Sequence, residues 1–147
     1  MAKDKVGERR KRERGGIFLT MQNQTRIDVV CAVIVSKDVA NKGRDDLYLI
    51  AKRAKEKTCP DLWEFVGGKV EHEEKHSDAV KREVMEKLGV EIVITGFQEP
   101  IYHSYDHAKI RLLRYLCKLT NNSDEPEAFG IDHSELAWVE CWDMWYV

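Results

Sequence analysis

Two carboxylates between residues 68 and 90 have the type and spacing to hold a divalent cation. Glu83 and Glu86 are three residues apart, so at about 100° per residue of helix they lie about 60° apart on one side of it. The pair Gly67-Gly68 precedes them, and glycine lets bare backbone approach a phosphate group. This pattern predicts a Mg2+ site shared by protein and substrate phosphates. Charged residues three apart are common on helices, so the spacing alone does not exclude an ordinary solvated face.

The carboxylates lie on a predicted helix that begins at Ser77 and ends near Leu88. Val80, Val84 and Leu88 form an apolar stripe at i, i+4 and i+8, which is typical of an amphipathic helix. Ser77 is the predicted N-cap residue. Gly89 follows at the position where helices commonly end in the left-handed conformation. The helix should therefore bury its stripe and keep both carboxylates beside it.

The segments around this helix have the composition of β-strands. The β-branched run 27–35 is almost continuously apolar, which predicts a strand covered on both faces. The pair Gly67-Gly68 is expected to end the strand before the helix. Strands, one helix and more strands predict an α/β fold with a mixed sheet and a helix packed on it. The predicted strands are residues 27–35, 47–50, 63–66, 90–97, 109–119 and 136–140.

The composition predicts one folded domain. The chain has 147 residues, of which 43% are hydrophobic, enough for one sizeable core. Its 24 Lys and Arg nearly balance 26 Asp and Glu, which argues against a strongly basic nucleic-acid module and against a disordered acidic chain. The longest apolar run, residues 29–35, is far shorter than the ~20 residues of a membrane span. Without a secretory signal pattern or a C-x-x-C pair, a cytoplasmic protein is expected.

The N-terminal segment differs from the rest of the chain. Residues 1–16 contain seven basic and three acidic residues and few apolar ones, which is typical of a solvated, disordered tail. We assign residues 1–26 to this basic tail and residues 27–147 to the folded domain. Contact of the tail with RNA is the alternative, although no aromatic residues lie between the charges.

Residues 68–90 also resemble the signature of the Nudix hydrolases. That family shares the pattern G-x5-E-x7-R-E-U-x-E-E-x-G-U, where U is aliphatic, and eight of its nine specified positions match here. Residues 63–71, W-E-F-V-G-G-K-V-E, are similar to the segment preceding this pattern in MutT-like nucleoside triphosphate pyrophosphohydrolases, with Val66 in place of Pro. The resemblance runs from about residue 27 to residue 139. It implies an α/β Nudix fold, a mixed β-sheet sandwiched between helices.

The resemblance also implies an activity and the residues that perform it. The activity is hydrolysis of a nucleoside triphosphate or other nucleoside diphosphate derivative at the pyrophosphate linkage, with Mg2+ or Mn2+ polarising the phosphates and activating water. Glu83 and Glu86 match catalytic carboxylates that also bind the metal ion. Glu74 and Arg82 match a structural pair that ties the loop to the helix. The remaining matches are the metal ligands Gly67 (through its carbonyl) and Asp132, and the phosphate-facing cations Arg53 and Lys69.

Three of these assignments have a plain structural alternative. Asp132 begins a segment similar to the family's E-H-x-E-x-x-W-V, but it is one methylene shorter than Glu, and aspartate also forms turns. Arg53 and Lys69 would also suit an exposed surface. His103 and His107 flank a predicted hairpin turn without a third ligand at suitable spacing, so no metal site is predicted there.

Lys87 is the one specified position that departs from the family signature, which has Glu there. An ammonium about 4 Å from a divalent ion is repelled by roughly 8 kcal/mol at an effective dielectric constant of about 20. Lys87 must therefore swing away, lose its proton or exclude an ion, unless it binds a substrate phosphate. The predicted function is a hydrolase that retains one metal ion. The alternative is a nucleotide-binding Nudix-fold protein with impaired or absent catalysis.

The nucleotide pocket is expected to need a further wall. The MutT-like group usually continues with a C-terminal helix, whereas few residues follow Glu140 in this chain. The resemblance therefore leaves part of the pocket wall short. A homodimer or the basic tail is expected to cover it.

Overall fold

The computed structural model describes residues 25–36, 46–128 and 130–141. Seven strands and one helix lie in these ranges. Their bounds are β1 Arg26–Ser36, β2 Leu47–Arg53, β3 Trp63–Glu64, β4 Gly67–Lys69, α1 His76–Leu88, β5 Ile92–Ser104, β6 Lys109–Leu119 and β7 His133–Val139. The predicted tail, apart from residues 25 and 26, lies outside the described residues, and so does the RNA contact assigned to it.

Strand β1 is the centre of a mixed sheet. It runs parallel to β6 and antiparallel to β2 and β4. The strand order is β3-β2-β1-β6-β5, while β4 pairs with β1 and β7 pairs with β2. All five residues from Val30 to Ile34 are buried, as expected for a strand covered on both faces. The predicted α/β class with a mixed sheet is confirmed.

Helix α1 packs its apolar stripe against this sheet. Val80, Val84 and Leu88 are 0% exposed and belong to one cluster with residues of β1, β2, β5 and β6. Gly89 ends the helix with φ at 65°, and its N–H donates to the carbonyl of Met85. The predicted stripe and the predicted glycine at the helix end are both confirmed. The sequence could predict them because the 3.6-residue period and the left-handed end conformation are local properties.

The predicted N-cap residue of the helix was wrong by two residues. Helix α1 begins at His76, Lys75 is its N-cap residue, and no side chain makes a capping hydrogen bond. Ser77 therefore lies in the first turn instead of capping it. The N–H groups of Asp78 and Ala79 donate to the carbonyl of Lys75, and the acidic Asp78 interacts favourably with the N-terminal end of the helix dipole.

The prediction that Gly67-Gly68 ends a strand was also wrong. The pair forms strand β4, in which Gly67 lies opposite Cys31 and Gly68 opposite Val30. A Cβ on Gly67 would lie 2.0 Å from the carbonyl oxygen of Val30. Glycine is needed at position 67 because the backbone of β1 comes very close, and such an approach occurs inside strands as well as in turns.

The remaining strands differ from the prediction mainly in length. Strand β5 extends to Ser104 and forms a hairpin with β6, so the turn between His103 and His107 is confirmed. Strand β7 begins at His133, three residues earlier than predicted. In the described ranges, no helix is long and apolar enough to cross a membrane.

Candidate active site

The candidate site lies where strand β4 faces helix α1. Strand β4 holds Gly67 and Gly68 against β1, and α1 places Glu83 beside them. A Cβ on Gly68 would lie 2.3 Å from the carboxylate of Glu83. The carboxylate therefore occupies the space that any larger residue at position 68 would fill, which makes glycine a geometric requirement here.

Glu83 is a buried carboxylate with two cationic partners. The residue is 7% exposed. Arg82 donates from Nη1 to Oε1 at 2.8 Å, and the Nζ of Lys87 lies 3.1 Å from Oε2. A buried carboxylate is costly unless it is paired and hydrogen-bonded. The two cations supply that pairing, and together with Gly68 they fix the position of the carboxylate.

Arg82 joins the preceding loop to the helix. Its Nε and Nη2 donate to the two oxygens of Glu74 at 2.7 and 3.0 Å, a bidentate geometry that aligns both groups. Nη2 also donates to the carbonyl of Lys69 at 3.2 Å. The hydrogen bonds from Arg82 and from the N–H of Glu71 lower the pKa of Glu74 to about 2. The structure thus brings the predicted structural pair into direct contact.

Lys87 contacts two of the predicted metal ligands. Its Nζ donates to the carbonyl of Gly67 and lies 3.1 Å from the Glu83 carboxylate. The Lys87 side chain is 18% exposed. The sequence left several outcomes open for Lys87. The structure shows its ammonium in contact with the oxygens that were expected to bind a metal ion. These two oxygens do not fit a divalent ion while Lys87 stays there, because both are already engaged by a positive charge.

The other two predicted metal ligands lie at the edge of this arrangement. Asp132 pairs with Lys57 at 2.6 Å; the Lys57 hydrogen bond is the main cause of its lowered pKa, and the charge of Lys87 lowers the pKa further. The side chain of Glu86 is 57% exposed and contacts Arg82 at 3.3 Å. In the part of the chain that the structure describes, no three His, Cys, Asp or Glu side chains form a group that could hold a metal ion.

The two predicted phosphate-facing cations are placed differently from each other. Arg53 donates from Nη1 to both oxygens of Glu64 at 3.1 Å, and from Nε to the carbonyl of Thr58 at 2.7 Å. Lys69 is exposed on β4. Arg53 is therefore committed to neighbouring groups of the protein, while Lys69 is accessible to a ligand; both stay predictions as substrate ligands.

A polar network that the sequence did not predict connects Arg53 to β7. His133, whose side chain is 1% exposed, lies with Nε2 3.0 Å from Oε1 of Glu64. Burial raises the pKa of Glu64, but the hydrogen bonds from His133 and Arg53 outweigh burial and leave the pKa lowered. His133 follows Asp132 directly, so this network holds the segment that carries Asp132. Glu64 and His133 are 69 positions apart, and no local pattern could have paired them.

The two glycines of β4 should respond differently to alanine. In Gly67→Ala the new Cβ meets backbone of β1, which cannot give way, so we expect a loss of about 3 kcal/mol in unfolding free energy. In Gly68→Ala the Cβ meets only the end of the Glu83 side chain, which can move. That variant should lose less stability than Gly67→Ala, and it should lose the site geometry. Urea unfolding of both variants checks this, and equal destabilisation would contradict it.

The Glu74 and Arg82 pair should make stability depend on pH. The pKa of Glu74 is lowered from 4.5 to about 2, so its ionised form stabilises the folded state fully above pH 4.5. This contribution is lost as the pH falls from 4.5 towards 2. Unfolding free energies of the parent and of Glu74→Gln should therefore converge as the pH is lowered through this window. A difference that stays constant would rule out the assigned pairing.

Comparison with known proteins identifies the family. The family model of the NUDIX domain matches residues 25–146. The chain is 40% identical over 68 residues to the CTP pyrophosphohydrolase of Escherichia coli (strain K12), which covers 46% of this chain and 44% of that protein. It is 37% identical over 89 residues to the 8-oxo-dGTP diphosphatase of Buchnera aphidicola subsp. Schizaphis graminum (strain Sg), covering 60% of this chain and 61% of that protein. The matched segments thus span only about half of these curated relatives.

Solved structures share the fold. The MutT protein from Methanosarcina mazei Go1 gives a TM-score of 0.69 at 21% identity, over 85% of this chain and 84% of that one. The MutT NUDIX hydrolase from Burkholderia pseudomallei gives 0.64 at 26% identity, over 78% of this chain and 83% of that one. With the matching family model and the loop and helix geometry described above, these similarities lead to one conclusion: the chain belongs to the NUDIX domain family, in its MutT-like group.

Proposed function

We propose that this protein hydrolyses a nucleoside triphosphate, or another nucleoside diphosphate derivative, at its pyrophosphate linkage. Water adds across a P–O–P bond, and cleavage between the first and second phosphates of a triphosphate yields a nucleoside monophosphate and pyrophosphate. Relatives named 8-oxo-dGTP diphosphatase and CTP pyrophosphohydrolase support this substrate class. The nucleotide partner follows from the same family membership.

The observation that carries the proposal is the fixed carboxylate of Glu83 between Gly68 and two cations. Gly68 leaves room for the carboxylate, and Arg82 and Lys87 bind one oxygen each. Charged groups that are already oriented stabilise a reacting phosphate without further rearrangement. A buried glutamate in this setting suits a catalytic site better than it suits an ordinary helix surface.

Two side chains of the site have capacity left for substrate. An ammonium has three N–H donors. In the described structure Lys87 donates one hydrogen bond, to the Gly67 carbonyl, and forms an ion pair with Glu83. A remaining donor can bind a phosphate oxygen and offset the negative charge that builds up there. Glu86 is accessible to water because its side chain is 57% exposed, and we assign it the acceptance of a proton from the attacking water.

Nudix hydrolases generally use a divalent metal ion such as Mg2+, and the dependence on Mg2+ or Mn2+ stays a prediction for this chain. The Gly67 carbonyl and Glu83 do not fit such an ion while Lys87 bonds to both. We therefore assign no step of the reaction to an ion at that position. Asp132, paired with Lys57, is likewise given no ligand role in the reaction.

Product release tests the proposed activity. CTP and 8-oxo-dGTP are each incubated with the protein in Mg2+, in Mn2+ and in EDTA, and pyrophosphate and phosphate are measured. We expect pyrophosphate from at least one nucleotide, with a loss of about 100-fold in Glu86→Gln if that residue accepts the proton. Absence of any release under all conditions would overturn the proposed hydrolysis.

Nucleotide binding without hydrolysis is the second candidate function. It is favoured by one observation: Lys87 replaces a family glutamate and bonds to the predicted metal ligands. In that case a nucleotide should bind, protect the protein against thermal unfolding, and be recovered intact after long incubation.

A further inference from the structure

Lys87 is held in place by contacts on two elements. Glu83 and Lys87 are four residues apart on α1, so their side chains lie on the same face of the helix, with 3.1 Å between Nζ and Oε2. The carbonyl of Gly67, on β4, accepts a hydrogen bond from the same Nζ. The Lys87 side chain is only 18% exposed, which distinguishes it from a lysine that extends into solvent.

Lys87 carries the same net charge as a glutamate at position 87 together with one divalent ion would carry. A glutamate at position 87 together with one divalent ion would carry a net charge of +1, because the carboxylate contributes −1 and the ion +2. The ammonium of Lys87 carries the same +1 alone. One side chain therefore supplies both the charge and the bonds to Gly67 and Glu83 that a carboxylate and an ion would otherwise supply.

Of the two cations that contact Glu83, Lys87 keeps a donor for a phosphate and Arg82 does not. The guanidinium of Arg82 is shared between Glu74 and Glu83, and Lys57 is paired with Asp132 at 2.6 Å. The Nζ of Lys87 donates one hydrogen bond, to the Gly67 carbonyl, and forms an ion pair with Glu83. Lysine is a good phosphate ligand because its ammonium acts as a compact point charge.

We propose that Lys87 is a resident cation that takes the place of a metal ion between Gly67 and Glu83 and binds a substrate phosphate directly. Binding of the triphosphate group then requires no divalent ion between Gly67 and Glu83. The identity of the bound group as a triphosphate rests on the proposed function, but the preference of the site for an ammonium over a divalent ion does not.

Calorimetric titration of Mn2+ alone into the full chain tests the cation preference without any nucleotide. The parent should bind Mn2+ at least about tenfold more weakly than Lys87→Glu does. Equal Mn2+ affinity of the parent and Lys87→Glu would overturn the proposal. Lys81→Met, which removes an exposed lysine of the same helix, is the matched control and should behave as the parent.

Titration of inorganic triphosphate in EDTA tests the phosphate contact. The parent and Lys81→Met should bind it, and Lys87→Met, which keeps the length of the side chain and is expected to fold even if Lys87→Glu does not, should bind at least about tenfold more weakly. Binding by the parent that appears only after Mn2+ is added would overturn the proposal. If both titrations give the expected results but no nucleotide is hydrolysed, the proposed function fails and the resident cation stands.

Discussion

Glu83→Gln is expected to reduce hydrolysis of a nucleoside triphosphate by about 100-fold or more. The amide has the same shape but no charge, so Lys87 loses the ionic partner that keeps it beside Gly67. Loss of one fixed donor to a reacting oxygen commonly costs 100-fold to 1,000-fold in rate. The measurement is kcat with whichever of CTP and 8-oxo-dGTP is cleaved.

Glu91→Gln is the matched control for this experiment. It makes the same chemical change at an exposed position outside the site, and it should leave kcat unchanged. Unfolding of both variants in urea separates a loss of catalysis from a loss of folded protein. A Glu83→Gln variant that is folded and as active as Glu91→Gln would show that the carboxylate has no part in the reaction.

Arg82→Met is expected to cause a large loss of stability. The substitution keeps much of the aliphatic side chain but removes the guanidinium, so the buried carboxylate of Glu83 keeps only Lys87 as a partner. Removing one partner of a buried charge is strongly destabilising, and with Arg82 24% exposed we expect about 2 kcal/mol. For a chain of this size that corresponds to a fall of about 4–8 °C in Tm.

Arg82→Lys and Lys81→Met complete this comparison. Arg82→Lys keeps the charge but cannot make the bidentate bond to Glu74, so its Tm should lie between those of the parent and Arg82→Met. Lys81→Met changes an exposed neighbour on the same helix and should stay within about 0.5 kcal/mol of the parent. If Arg82→Met and Lys81→Met have the same Tm, Arg82 does not hold the loop and the helix together.

Local periodicity was sufficient to predict helix α1 and strand β1. Val80, Val84 and Leu88 repeat with the period of a helix, and their complete burial follows from that pattern. The start of α1 was misplaced because Ser77 is a good cap residue by type, while the backbone placed Lys75 at the cap. Helix starts depend on the chain that precedes them as well as on the capping residue.

Strand β4 could not be predicted because its pairing is not local. Glycine is unfavourable in strands, so the pair Gly67-Gly68 indicated a stop. Its contact with Val30 and Cys31 depends on residues more than thirty positions away. For the same reason the sequence did not predict the contact between Glu64 and His133.

The site itself was predictable in part. The resemblance to the Nudix signature paired Glu74 with Arg82, and the structure places Arg82 in direct contact with both Glu74 and Glu83. The sequence showed that Lys87 has the wrong charge for a metal ligand but left several outcomes open. Only the three-dimensional arrangement showed that its ammonium reaches the carbonyl of Gly67, because that contact joins a helix to a strand.

A crystal structure of the full chain with Mn2+ and a slowly hydrolysed nucleoside triphosphate analogue would show whether Lys87 or a metal ion lies between Gly67 and Glu83. Mn2+ gives an anomalous signal that locates the ion without ambiguity. We expect Nζ of Lys87 to stay in contact with Gly67 and Glu83, with a phosphate oxygen as its third partner. An anomalous peak between the Gly67 carbonyl and the Glu83 carboxylate, with Lys87 displaced into solvent, would contradict it.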